Sequence, residues 1–192
     1  RGWEGLEAQG RAAAAAVVQA AAGVALSDRV TIGAALVPLK LPLADPPPVL
    51  EARATVEEYQ RSLASLPPEA NRGVRWMAEG AVTWSTELLR LAEAGAHSRT
   101  APFDVQAIRV GSGALVGLPG EVFIEYALNI DRASPFAPTL VAAYANGDIS
   151  YIPTAAAYPE GGYEVNDAIR YYGTTMPRPE SEPLILAAAS RA

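Results

Sequence analysis

The sequence predicts an α/β fold, with α+β as an open variant: a mixed sheet flanked by helices. Three observations predict it. Hydrophobic spacing is helical at first, turns briefly alternating, becomes helical again, and then gives way to short apolar runs. Turn signals, Gly111-Ser112-Gly113 and Asn146-Gly147-Asp148, punctuate those runs. Half of the 192 residues are hydrophobic and 19% are charged, the balance of a chain that buries a core.

Residues 3–26 read as a helix, because Trp3, Leu6, Ala13, Val17, Ala21 and Val24 fall on one stripe. Residues 30–43 read as extended. Val30, Ile32 and Ala34 alternate, and Pro38 and Pro42 confine the segment to an edge or an irregular strand. Asp45-Pro46-Pro47-Pro48 breaks the chain and opens a helical pair at about 46–95. Its first helix is Val49–Leu66, stopped by Pro67-Pro68. Its second is Asn71–Glu93, with Val74, Met77, Ala78, Ala81, Val82, Ser85, Leu88, Leu89 and Ala92 on one face. Val105–Val110 and Ala114–Leu118 then read as a hairpin around Gly111-Ser112-Gly113. Glu121–Arg132 reads as a helix, Thr139–Tyr144 and Ile149–Ile152 as short strands, and Glu182–Arg191 as a closing helix.

The charge balance excludes one class of partner. The formal net charge is -6 and Lys40 is the single lysine, so no basic cluster is available to bind nucleic acid. No apolar run reaches the roughly 20 residues that span a bilayer. The absence of cysteine excludes disulfides and thiolate zinc clusters without deciding the compartment. The chain begins at Arg1 without Met or a signal-peptide pattern, which reads as a fragment, a processed chain or an incomplete one; a mature N-terminus is a further reading.

One histidine limits the available chemistry. His97 alone cannot supply both the ligands and the base of a zinc hydrolase, and it sits in a polar link where an exposed loop residue or a helix cap is the simpler reading. No Gly-x-Ser-x-Gly elbow is present, and Gly111-Ser112-Gly113 leads into a strand rather than a helix, so a nucleotide loop fails in context. Two stretches remain. In Leu118-Pro119-Gly120-Glu121 a strand runs out through Pro-Gly, and a carboxylate is expected in the first helical turn, where free amides favour its ionised form. A glutamate at a helix start without function is the alternative. The stretch from Tyr144 to Glu164 is rich in Tyr, Gly and Pro beside a strand end, as a pocket rim or a packed surface would be.

Taken together, Leu118-Pro119-Gly120-Glu121, Ala145-Asn146-Gly147, Tyr151-Ile152-Pro153-Thr154 and Gly162-Tyr163-Glu164 resemble the neutral/alkaline, non-lysosomal ceramidase family, especially its shorter bacterial relatives. The resemblance is best over about residues 103–170. It implies that residues 1–192 are the C-terminal part of one catalytic domain. It also implies Glu121 and Tyr151 as zinc ligands, and Tyr163 as the hydroxyl near the scissile amide that stabilises the oxyanion. Two histidine ligands and a catalytic serine would lie in an N-terminal segment or companion chain outside this sequence. The implied substrate is a lipid-like N-acyl amide, and the implied location is secreted, periplasmic or cell-surface. The chain departs from the family where Tyr163-Glu164 runs on into Val165-Asn166-Asp167 and in a shorter Glu121-to-Tyr151 interval, and these departures bear on the substrate more than on the ligands. A catalytically inactive relative serving in an assembly or at a surface is the rival expectation.

Overall fold

The structure is a computed structural model that describes residues 2–192. The chain forms two compact units, Arg1–Thr31 and Ile32–Ala192. The first holds helix α1 (Trp3–Ala22), none of whose residues is buried. The expected apolar stripe therefore forms on a helix but stays exposed, with Trp3, Leu6, Val17 and Val18 all open to solvent.

The second unit is a mixed α/β fold. Strand β1 (Ile32–Pro42) pairs antiparallel with β2 (Thr100–Val110), and β2 pairs antiparallel with β3 (Gly113–Gly117). The two-residue turn Gly111-Ser112 joins β2 to β3, with Gly111 at φ 63, the left-handed backbone that such tight turns require. Strand β5 (Thr139–Ala142) adds to β3 in parallel, giving the order β1-β2-β3-β5. As its prolines demand, β1 lies at the edge of this sheet, where a missing N–H need not cost a ladder bond. Strands β4 (Glu121–Val122) and β6 (Tyr151–Ile152) form a separate two-stranded parallel ladder.

Helices α2 (Val49–Ala64) and α3 (Arg72–Glu93) form the expected pair. The Asn71 side chain caps α3 by accepting from the Gly73 amide at 2.8 Å. On α3 the buried residues are Ala81, Ser85, Leu88 and Leu91. The expected stripe began at Val74 and Met77, but both are exposed, so only the C-terminal half of that face is covered. Helix α4 (Ile124–Ala133) follows β4, and α5 (Ser181–Ala189) closes the chain. The core joins Leu41, Phe103, Val105, Val116 and Leu118 of the sheet region to Tyr126 and Ile130 of α4, Ile152 of β6 and Ile185 of α5. Its buried phenol does not go unpaired: Tyr126 Oη donates to the Pro153 carbonyl at 3.1 Å and ties α4 to the end of β6.

One expectation needs correction. Glu121 is not in the first turn of a helix. It lies on β4, and helix α4 starts three residues later, after Phe123. The reason is local. The Glu121 amide donates to the Ser150 carbonyl at 2.9 Å, so it is spent on the ladder with β6 rather than left free at a helix end. Gly120 makes this approach possible: its φ is +111, and an added Cβ would clash with the Ser150 carbonyl oxygen at 2.7 Å.

Candidate functional site

The site is built where β4 and β6 run side by side. Glu121 and Tyr151 are direct partners in the parallel register, so their side chains leave the same face of the ladder. Tyr163 follows from a π-helical turn (Tyr163–Asp167), its ring edge-on to Tyr151 with centroids 6.3 Å apart at 77°. The three residues singled out in the sequence therefore lie together. With Tyr171 and Tyr172, and with Trp76 and Met77 of α3, they line a cavity of about 330 Å³. A larger cavity, about 480 Å³, lies between α4, α5 and the sheet, and its lining is dominated by alanine and other apolar side chains.

Tyr172 was not anticipated. Its hydroxyl donates to Glu121 Oε1. Its ring also packs edge-on against Tyr151, at 6.4 Å and 81°. Tyr144 is a further phenol that acts on the carboxylate. It stands in the left-handed region at φ 56, held there by bonds that stitch its loop to the Pro119-Gly120 turn: the Tyr144 amide to the Gly120 carbonyl at 3.0 Å and the Ala145 amide to the Leu118 carbonyl at 3.1 Å. Tyr172 lies outside the stretches singled out in the sequence, whereas Tyr144 opens the Tyr-, Gly- and Pro-rich stretch read there as a pocket rim or a packed surface.

Glu121 sets the electrostatics. Partial burial raises its pKa, but hydrogen bonds from Tyr151, Tyr172 and Tyr144 outweigh this and hold it below the usual carboxylate value, so it is ionised at neutral pH. The phenols respond in kind. The hydrogen bond to Glu121 pushes Tyr144 up to about 12. Tyr151 is raised by its bond to Glu121 first and by burial second, and Tyr172 by burial first and the same carboxylate second. No ion pair among the described residues includes Glu121. A half-buried carboxylate whose only partners are phenols is an anion still able to gain from a cation.

That observation tests the fit of a metal. Zinc accepts carboxylate oxygen, and a cation beside a phenol reverses the preference that now keeps Tyr151 protonated. Among the described residues, no group of three His, Cys, Asp or Glu side chains could hold a metal ion. Glu121 and Tyr151 are the side chains of this site that could help to hold a cation, and the described residues do not complete a shell around them. His97 does not line the cavity. It is exposed in the link after α3, with Nδ1 3.9 Å from Asp45 Oδ2, the simpler of its two readings.

No family model matches the chain, and no curated protein matches it. Among solved structures it is similar to a ceramidase complexed with C2, at 22% identity and TM-score 0.37, over 47% of this chain and 14% of that one. It is also similar to neutral ceramidase from Pseudomonas aeruginosa, at 19% identity and TM-score 0.42, over 83% of this chain and 28% of that one. The chain spans less than a third of the length of either structure. Among the described residues no helix is long and apolar enough to cross a membrane.

Proposed function

We propose that this chain is the C-terminal part of a zinc-dependent hydrolase of N-acyl amide bonds with a ceramide-like lipid substrate, active only when a further segment or companion chain supplies the histidine ligands. The observation that carries this reading is the register pairing of Glu121 with Tyr151, thirty residues apart, at the wall of a cavity that Tyr163 also lines. The motif resemblance named the same three residues, and the pairing supports it independently.

In this reading the chain's own groups divide the work. Glu121 stays ionised, its carboxylate oriented by the Tyr172 hydroxyl on Oε1, and would be the first metal ligand. Tyr151 stands beside it as the second ligand. When bound, zinc supplies Lewis-acid polarisation of the amide carbonyl and activation of the attacking water. Tyr163, half exposed, donates its hydroxyl to the carbonyl oxygen as that oxygen gains charge. Trp76 and Met77 give the cavity an apolar wall on the side of α3, which suits a substrate whose reacting amide is joined to hydrocarbon.

The test is zinc analysis and N-acyl amide hydrolysis by the intact protein, for the wild type and Glu121→Ala. Stoichiometric zinc, with loss of both metal and hydrolysis on substitution, is the expected result. A zinc-free intact protein, or a Glu121→Ala variant hydrolysing at the wild-type rate, sinks the proposal.

A further inference from the structure

The segment that carries Tyr172 is short and poorly self-supporting. A single 3₁₀ turn (Ala168–Tyr171) precedes it, and Gly173 follows at φ +66 with open space around it. Such a turn has weak internal bonds, and a glycine joint adds freedom. Yet Tyr172 must place one hydroxyl on one carboxylate oxygen.

The helical pair holds both flanks of that segment. On one side, Arg170 Nη1 donates to Tyr59 Oη of α2 at 3.1 Å, and its guanidinium lies over the Tyr59 ring, 5.7 Å from the centroid. The same guanidinium donates through Nε to the Asp167 carbonyl at 3.0 Å and pairs through Nη2 with the Asp167 carboxylate. On the other side, Trp84 Nε1 of α3 donates to the Thr174 carbonyl at 2.7 Å. Tyr171 stacks on Trp76 between these anchors, with centroids 6.3 Å apart and planes 8° from parallel. Tyr59 and Trp84 themselves meet edge to face at 6.4 Å and 66°. The two flanking anchors are thus one aromatic unit across the seam of α2 and α3, and Tyr172 is suspended between them.

We propose that the Tyr59–Trp84 pair is a positioning unit: it holds the 170–174 segment so that the Tyr172 hydroxyl reaches Glu121 and fixes the orientation of that carboxylate toward the cavity. Neither residue touches reacting atoms. They act through Tyr172, as groups behind a ligand commonly do. The consequence for hydrolysis rests on the function proposed above, whereas the positioning itself does not.

The test uses the intact protein labelled with [¹³Cζ]tyrosine and no added metal or substrate. The Tyr172 resonance is assigned by its disappearance in Tyr172→Phe. Tyr59→Phe keeps the ring and removes only the hydroxyl; Trp84→Phe removes the indole donor. Both variants should move the Tyr172 resonance toward that of a solvent-exposed tyrosine. A resonance unmoved in both overturns the proposal, and if Trp84→Phe does not fold, Tyr59→Phe decides alone. In N-acyl amide hydrolysis the same substitutions should lower kcat about tenfold with KM near wild type. They should lower it no further in the Tyr172→Phe background, where the group they position is already gone. Losses that simply add in that background also overturn the proposal. A wild type that hydrolyses no N-acyl amide refutes the function proposed above and leaves the resonance to decide this one.

Discussion

Gly120 is the position where one added methyl group should do most damage for its size. A Cβ there would lie 2.7 Å from the Ser150 carbonyl oxygen and 3.1 Å from Ile152 Cγ1, at a φ of +111 that L side chains rarely adopt. Backbone strain of this kind costs about 1–3 kcal/mol. Forcing β4 off β6 adds an overpacking cost of about 1–3 kcal/mol. Gly120→Ala should therefore destabilise the protein by about 2–6 kcal/mol, a large part of the 5–15 kcal/mol typical of a folded domain. With a urea m-value of about 2 kcal/mol/M, the midpoint should fall by roughly 1–3 M. Gly95→Ala is the internal control, since Gly95 has positive φ (+60) but nothing within 4 Å of an added Cβ. It should cost only about 1–2 kcal/mol, the backbone contribution alone. Urea unfolding followed by far-ultraviolet circular dichroism measures both. Equal midpoint shifts for the two variants would refute the steric argument, and with it the claim that Gly120 is what allows Glu121 to pair with Tyr151.

Two further outcomes follow from the same geometry. Tyr126→Phe should cost about 1–3 kcal/mol in urea unfolding, because it leaves the buried Pro153 carbonyl without its donor; a midpoint within error of wild type would show that this carbonyl finds another partner. Asp45 is held below the usual carboxylate range, first by the Ser98 amide, against a smaller opposing effect of burial, and then by Arg178. A depressed folded-state value means that its contribution is complete above the unfolded pKa of about 3.9 and is lost as pH falls through the lower folded value. Asp45→Asn should flatten the acid limb of the stability profile below about pH 4 relative to wild type, and an unchanged acid limb would remove Asp45 from the account.

Much of the fold was legible because it is written in local pattern. The α2–α3 pair has prolines and Asn71 at its boundaries, the β2–β3 hairpin has glycine at its turn, and Pro38 and Pro42 kept β1 at a sheet edge. Spacing also placed an apolar stripe on α1 and on all of α3, yet α1 is exposed and the first turns of α3 carry solvent-open Val74, Trp76 and Met77. Periodicity reports which residues share a face and is silent about whether anything covers it.

The candidate site divides in the same way. Pro119-Gly120-Glu121, Tyr151 and Tyr163 stood out as short motifs, each readable within a few positions. The element under Glu121 was misread as a helix start, because a carboxylate after Pro-Gly followed by helical spacing has the same local pattern whether or not a distant strand claims its amide. Tyr172 and Tyr144 reach Glu121 from 51 and 23 positions away, through a loop bearing no regular spacing, and the clamp on Tyr172 begins at Tyr59, 111 residues before the arginine it binds. Local chain chemistry thus settled most of the helices and turns and marked out candidate side chains. Their company was left to tertiary folding, because hydrogen bonds across long loops follow from how the layers pack and leave no period in the chain.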